Sequence, residues 1–168
     1  MILGITGGTG CGKTTLLNVI RDAGGLVLDC DAIYHVQLKT NKAMLGAIEA
    51  RFPGIVENGT LQRKKLGNIV FSDKSALIDL NKITHSAIRT AVLHRLAERP
   101  ALAAIDAVAL FESGLAELCD VTVAVTAPAD IRIKRLMQRE NISRFSSCNI
   151  SWIPGTLQMV ARNSKELA

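Results

Sequence analysis

Hydrophobic residues in this chain fall into short unbroken runs separated by stretches with helical spacing. Ile2 to Thr6 is one apolar run, ending in glycines, and Leu26 to Asp29 is another, just after Gly24-Gly25. Short apolar runs without alternation predict strands buried on both faces. Between them, Lys13 to Ala23 carries Leu16, Leu17, Val19 and Ile20 with no Pro or Gly, which predicts a helix. Ala103 to Val108 and Val121 to Thr126 repeat the strand signal, and each is followed by a stretch of helical character. Strands alternating with helices predict an α/β fold around a parallel sheet.

The middle, from Ala32 to Pro100, offers no convincing strand and several helical patterns. The longest runs from Asp73 to Glu98, with Ala76, Leu80, Ile83, Ala87 and Ala91 at three- and four-residue steps. We therefore expect one domain over 1–168, with a helical, substrate-covering insertion over about 32–100. A lid region is expected at about 128–148, and an atypical tail at 145–168.

Composition narrows the functional classes. With 168 residues, 48% hydrophobic and 21% charged, the chain suits one globular domain, and no apolar run reaches membrane-spanning length. Twenty Lys and Arg against fifteen Asp and Glu give +5, which suits an anionic ligand. A nucleic-acid partner is not expected, because basic residues form no run and aromatics are only 4%. Cys11, Cys30, Cys119 and Cys148 share no C-x-x-C spacing and have no neighbouring His pair, so we expect thiols in a reducing cytoplasm, with no zinc site. Met1 leads almost at once into a strand and a glycine loop, so no export signal is expected.

The strongest chemical signal is Gly7-Gly8-Thr9-Gly10-Cys11-Gly12-Lys13-Thr14, which satisfies G-x-x-x-x-G-K-[ST] between a strand and a helix. Residues without Cβ, such as Gly8, Gly10 and Gly12, let backbone amides and a positive helix end converge on one phosphate. Lys13 would reach the β- and γ-phosphates, and the Thr14 hydroxyl would join a Mg²⁺ shell. Cys11 would place a thiol at a helix start, open to electrophiles.

Asp29-Cys30-Asp31 ends the second strand, where open parallel sheets place ligands. One carboxylate there can accept a proton from a substrate hydroxyl, and the other can cap the helix beginning at Ala32. Arg132, Arg135 and Arg139 fall within an arc of about 60° on the helix after the fourth strand. Guanidiniums on that face can clamp phosphates, and Arg139 is the one we assign to ATP. His85, with Arg89 one turn later, either packs as a neutral residue or meets an anionic substrate. Glu112 and Ser113 either start the next helix or face the substrate. His35 and His94 show no partner pattern.

Several segments together resemble the dephospho-coenzyme A kinase family. They are the phosphate loop from Thr6 to Thr14, Leu28-Asp29-Cys30-Asp31, Asn58 to Leu66, Leu80-Asn81-Lys82-Ile83-Thr84-His85, Leu110-Phe111-Glu112-Ser113-Gly114-Leu115, and Arg135-Leu136-Met137-Gln138-Arg139. The resemblance implies a three-layer P-loop kinase fold that transfers the γ-phosphate of ATP, with Mg²⁺, to the ribose 3′-hydroxyl of dephospho-CoA. It implies Asp31 as catalytic base, residues Gly10, Cys11, Gly12, Lys13, Thr14 and Thr15 at the ATP phosphates, and Arg139 as a lid arginine. His85 and Leu110 to Gly114, with Glu112 among them, fall on the dephospho-CoA side. We expect a monomer or weak homo-oligomer.

Three departures stand out. Ser86 occupies a position where the family usually has Pro, and Val108-Ala109 replaces the usual Pro-Leu. Phe145 to Trp152 lacks the family's second lid helix and fifth-strand pattern, although Asn149 to Ile153 can form a short strand. Gly155-Thr156-Leu157 and a helical stretch to Leu167 resemble the family's last helix. The competing expectations are another nucleoside or nucleotide kinase of this fold, or an ATP-binding protein that transfers no phosphate.

Overall fold

The apolar runs become strands of one sheet, three of them flanked on both sides and Leu26–Asp29 at its edge. The computed structural model describes residues 1–140 and the backbone of Arg162–Asn163. Its first half contains β1 (Ile2–Thr6), α1 (Lys13–Asp22), β2 (Leu26–Asp29), α2 (Cys30–Thr40), α3 (Lys42–Arg51), β3 (Val56–Glu57), β4 (Thr60–Leu61) and α4 (Arg63–Ser72). The second half contains α5 (Lys74–Leu96), β5 (Ala103–Asp106), a 3₁₀ turn (Leu115–Leu118), β6 (Val121–Ala124), α6 (Ala129–Glu140) and β7 (Arg162–Asn163).

The main sheet has the order β2-β5-β1-β6-β7. β1 is central and pairs in parallel with β5 (Ile5 opposite Asp106) and with β6 (Ile5 opposite Val123). β7 adds antiparallel to β6, Val121 opposite Asn163. Ile5, Ala103, Ala104 and Ile105 are fully buried, as a strand covered on both faces requires.

Contacts divide the chain into two compact units, Met1–Leu28 with the chain from Pro100 onward, and Asp29–Arg99. The first holds the main sheet with α1 and α6. The second has its own core, to which α3, α4 and α5 contribute Ile48, Leu66 and Ala76 together with Phe52. Fully burying side chains such as Ile48 and Phe52 supplies about 1.5–3 kcal/mol each.

Three expectations are corrected here. First, the middle is not all helical, since β3 and β4 form an antiparallel hairpin. Its turn is Asn58-Gly59 with φ 51° and 75°, the paired left-handed conformation that a two-residue hairpin needs and that Asn-Gly adopts readily. Second, β5 leads into a 3₁₀ turn of four residues, with no α-helix before β6. Third, the helical stretch expected toward Leu167 is not helical at Arg162–Asn163, which is extended. The strand expected at Asn149 to Ile153 lies outside the described residues. No helix among the described residues is long and apolar enough to cross a membrane.

One carboxylate holds the approach to the hairpin. Glu49, in α3, accepts hydrogen bonds from the amides of Gly54 (2.6 Å), Ile55 (3.0 Å) and Val56 (2.6 Å). These amides, Gly54 foremost, hold its carboxyl below the ordinary 4.5. A depressed carboxyl stabilises the fold above the unfolded value, and that contribution disappears as pH falls through the folded one. Glu49→Gln is therefore expected to unfold at lower temperature than the parent chain near neutrality, with the gap closing below about pH 4. Melting curves of the two proteins across that range check it.

Candidate active site

The phosphate loop joins β1 to α1, and its shape depends on glycine. Gly7, Gly10 and Gly12 have φ of 148°, 81° and 100°, a region that disfavours other residues. At Gly7 a Cβ would sit 2.3 Å from the Val125 carbonyl oxygen, so only glycine fits without a backbone shift. The loop folds on itself through Cys11 N–H to Gly8 O (3.3 Å) and Thr15 N–H to Gly12 O (3.1 Å).

α1 begins without a side-chain cap and without an acid in its first turn. α2, α3 and α5 are capped by Asp29, Asn41 and Asp73, whereas α4 is also uncapped but follows β4 with no glycine loop before it. An uncapped helix start presents free amides and a positive dipole end, which is what an anion needs. Thr14 and Thr15 are exposed there, and Cys11 is buried at 8% exposure. Burial corrects the expectation that the Cys11 thiol is open to electrophiles.

Lys13 folds back over the loop. Its Nζ donates to Gly7 O at 2.9 Å and stands 3.9 Å from Oδ1 of Asp106. That oxygen is buried at the end of β5. Sequence reading missed Asp106 by absorbing it into an apolar run. The available signal was a single carboxylate closing four nonpolar positions, Leu102 to Ile105, at the strand end where ligands bind.

Two arginines of α6 bond to the loop itself. Arg132 Nε donates to Thr9 O and Arg135 Nη1 to Gly10 O, both at 3.0 Å. Arg139, the arginine assigned to ATP from sequence, lies in α6, but its side chain is outside what the structure describes.

In the unit Asp29–Arg99, the two aspartates divide their work. Asp29 caps α2, its carboxylate accepting from Ala32 N–H at 2.9 Å. Asp31 sits in the first turn, exposed, with no hydrogen bond or ion pair among the described residues. Asp31 and His35 are four residues apart and share a helix face. His35 Nδ1 lies 3.3 Å from the Arg63 guanidinium, so a histidine given no role from sequence has a cationic neighbour. Burial pushes the Tyr34 phenol up, and the Arg63 charge offsets part of that rise. His85 is half-buried in the middle of α5. In the other unit, Glu112 is exposed in the turn after β5, ahead of Gly114, which opens the 3₁₀ turn, so neither Glu112 nor Ser113 starts a helix.

Among the described residues no three His, Cys, Asp or Glu cluster as a metal cage. The hard oxygens of Thr14 and Asp106 nevertheless suit Mg²⁺, which takes few protein ligands and relies on phosphate and water.

Comparison with known proteins finds relatives over most of the chain. The family model described as dephospho-CoA kinase matches residues 1–152. A dephospho-CoA kinase of Moorella thermoacetica is 38% identical over 149 residues, covering 84% of this chain and 70% of the relative. One from Paramagnetospirillum magneticum is 36% identical over 148 residues, covering 85% and 69%. Among solved structures, a Thermus thermophilus protein superposes with a TM-score of 0.75 at 32% identity, covering 92% of this chain and 81% of the other. The dephospho-CoA kinase from Campylobacter jejuni gives 0.57 at 27% identity, covering 87% and 76%.

Proposed function

The chain belongs to the dephospho-CoA kinase family, and from that premise we propose how its residues divide the ATP-dependent phosphorylation of dephospho-CoA to CoA. The observation that carries the assignment of the ATP end is the uncapped start of α1 behind a glycine loop, with Lys13 between Gly7 O and Asp106. The loop amides not already bonded within it, those of Gly10, Gly12, Lys13 and Thr14 among them, bind the phosphates, and the Thr15 hydroxyl stands beside them. Lys13 neutralises charge that builds on the transferring group.

Thr14 and Asp106 are the side chains that would hold Mg²⁺, which when bound would withdraw charge from the phosphates. Asp31 accepts the proton of the ribose 3′-hydroxyl as its oxygen forms the new bond to phosphorus, and ADP leaves with the electrons of the broken P–O bond. Its carboxylate is available for this because Asp29, not Asp31, serves the helix. His85 and Glu112 lie on the acceptor side in this reading, and Arg139 on the ATP side. Cys11, Cys30 and Cys119 stand outside any disulfide, which suits the reducing cytoplasm where we place the reaction.

A coupled assay tests the proposal. ADP should form in step with phosphorylation at the 3′ position of dephospho-CoA, and chelating Mg²⁺ should stop it. Turnover of nucleosides without turnover of dephospho-CoA would defeat it.

A further inference from the structure

Two arginines of α6 grip the phosphate loop by its carbonyl oxygens. Arg132 Nε holds Thr9 O and Arg135 Nη1 holds Gly10 O, each at 3.0 Å. In a planar trans peptide, the carbonyl and the following N–H point in opposite directions. Fixing Thr9 O therefore aims the Gly10 N–H away from Arg132, and fixing Gly10 O does the same for the Cys11 N–H relative to Arg135. The Cys11 N–H, on the far side of that peptide, closes the turn onto Gly8 O at 3.3 Å.

The backbone of α6 also lies directly against the loop. A Cβ on Gly10 would be 3.0 Å from the carbonyl oxygen of Arg132 and 3.2 Å from its Cα. Arg132 and Arg135 are three residues apart on one helix face, so a single rigid element supplies both contacts. Guanidinium is suited to this work, since it is permanently charged and its donors are fixed in a plane.

We infer that Arg132 and Arg135 are positioning residues that lock two successive peptide planes of the loop, so that the Gly10 amide faces the α/β-phosphates before nucleotide arrives and the Cys11 amide stays turned into the loop. This rests on the reading of the loop as the ATP site. It differs from a phosphate clamp in a measurable way. The loop amides cradle phosphates that ADP and ATP share, whereas a clamp on the transferring group touches only ATP.

Calorimetric titration of MgADP and MgATP into the parent chain, Arg132→Ala and Arg132→Gln tests it. Arg132→Ala should weaken both nucleotides by the same factor, about tenfold, as expected for one charge-assisted hydrogen bond. Arg132→Gln should recover part of the loss, because glutamine Nε2 stands at the same chain length as arginine Nε. The KM for dephospho-CoA should stay at the parental value.

Unchanged affinities would overturn the inference. So would a loss confined to MgATP, which would make Arg132 a γ-phosphate ligand. A lowered melting temperature with equal weakening of dephospho-CoA would reduce the contact to general scaffolding and overturn it too. If the parent chain binds neither nucleotide, the ATP-site reading fails and the inference falls with it.

Discussion

Asp31→Asn is expected to lower turnover by about 10²-fold or more while MgATP still raises the melting temperature as it does for the parent chain. The substitution keeps the size and shape of the side chain and removes its basicity. It also spares the helix, because the cap of α2 belongs to Asp29, which accepts the Ala32 amide at 2.9 Å. Asp29→Ala should behave in the opposite way, costing about 1 kcal/mol of stability through the lost cap. Measuring kcat and melting temperature for both variants separates proton acceptance from helix capping. Turnover of Asp31→Asn within a fewfold of the parent would remove Asp31 from the chemistry.

Lys13→Met should be the second severe variant, with kcat/KM for MgATP falling by about 10²–10³. Methionine retains most of the aliphatic length and loses the charge that is to meet the phosphates. It also loses the 2.9 Å bond to Gly7 O that ties the end of the loop back to its beginning. The cation 3.9 Å from Asp106 disappears as well, so a carboxylate faces the incoming nucleotide without that screening. Unlike Asp31→Asn, this variant should also lose much of its thermal stabilisation by MgATP. Retention of both rate and stabilisation would contradict the role given to Lys13.

Much of this was legible in the sequence, for identifiable reasons. β1, β2, β5 and β6 begin where the apolar runs begin, since a strand buried on both faces must be apolar throughout. The phosphate loop was legible because its geometry demands glycine at fixed steps, and Gly7, Gly10 and Gly12 all take positive φ.

The hairpin β3–β4 was missed although Asn58-Gly59 is a strong turn signal, because two-residue strands leave no alternation to detect. Asp106 was hidden by its neighbours, since a polar residue closing an apolar run looks like an interruption until its partner Lys13 is placed. The division between Asp29 and Asp31 was left open by sequence, because two acids one residue apart can each satisfy a helix start. Arg132 and Arg135 were legible as a helical face. What they hold was not, because carbonyl oxygens of a loop more than a hundred positions earlier leave no mark in side-chain spacing.

The register of β1 sets an order of events during synthesis. Ile2 and Leu3 pair with Ala103 and Ala104, and Leu3 pairs again with Val121, so every neighbour of this first strand is made after the whole of Asp29–Arg99. That intervening unit is continuous in the chain and can fold as it leaves the ribosome, whereas β1 waits as an unpaired apolar segment. Shielding this segment by a chaperone until residues 103–124 have been made is therefore expected to raise the yield of folded protein.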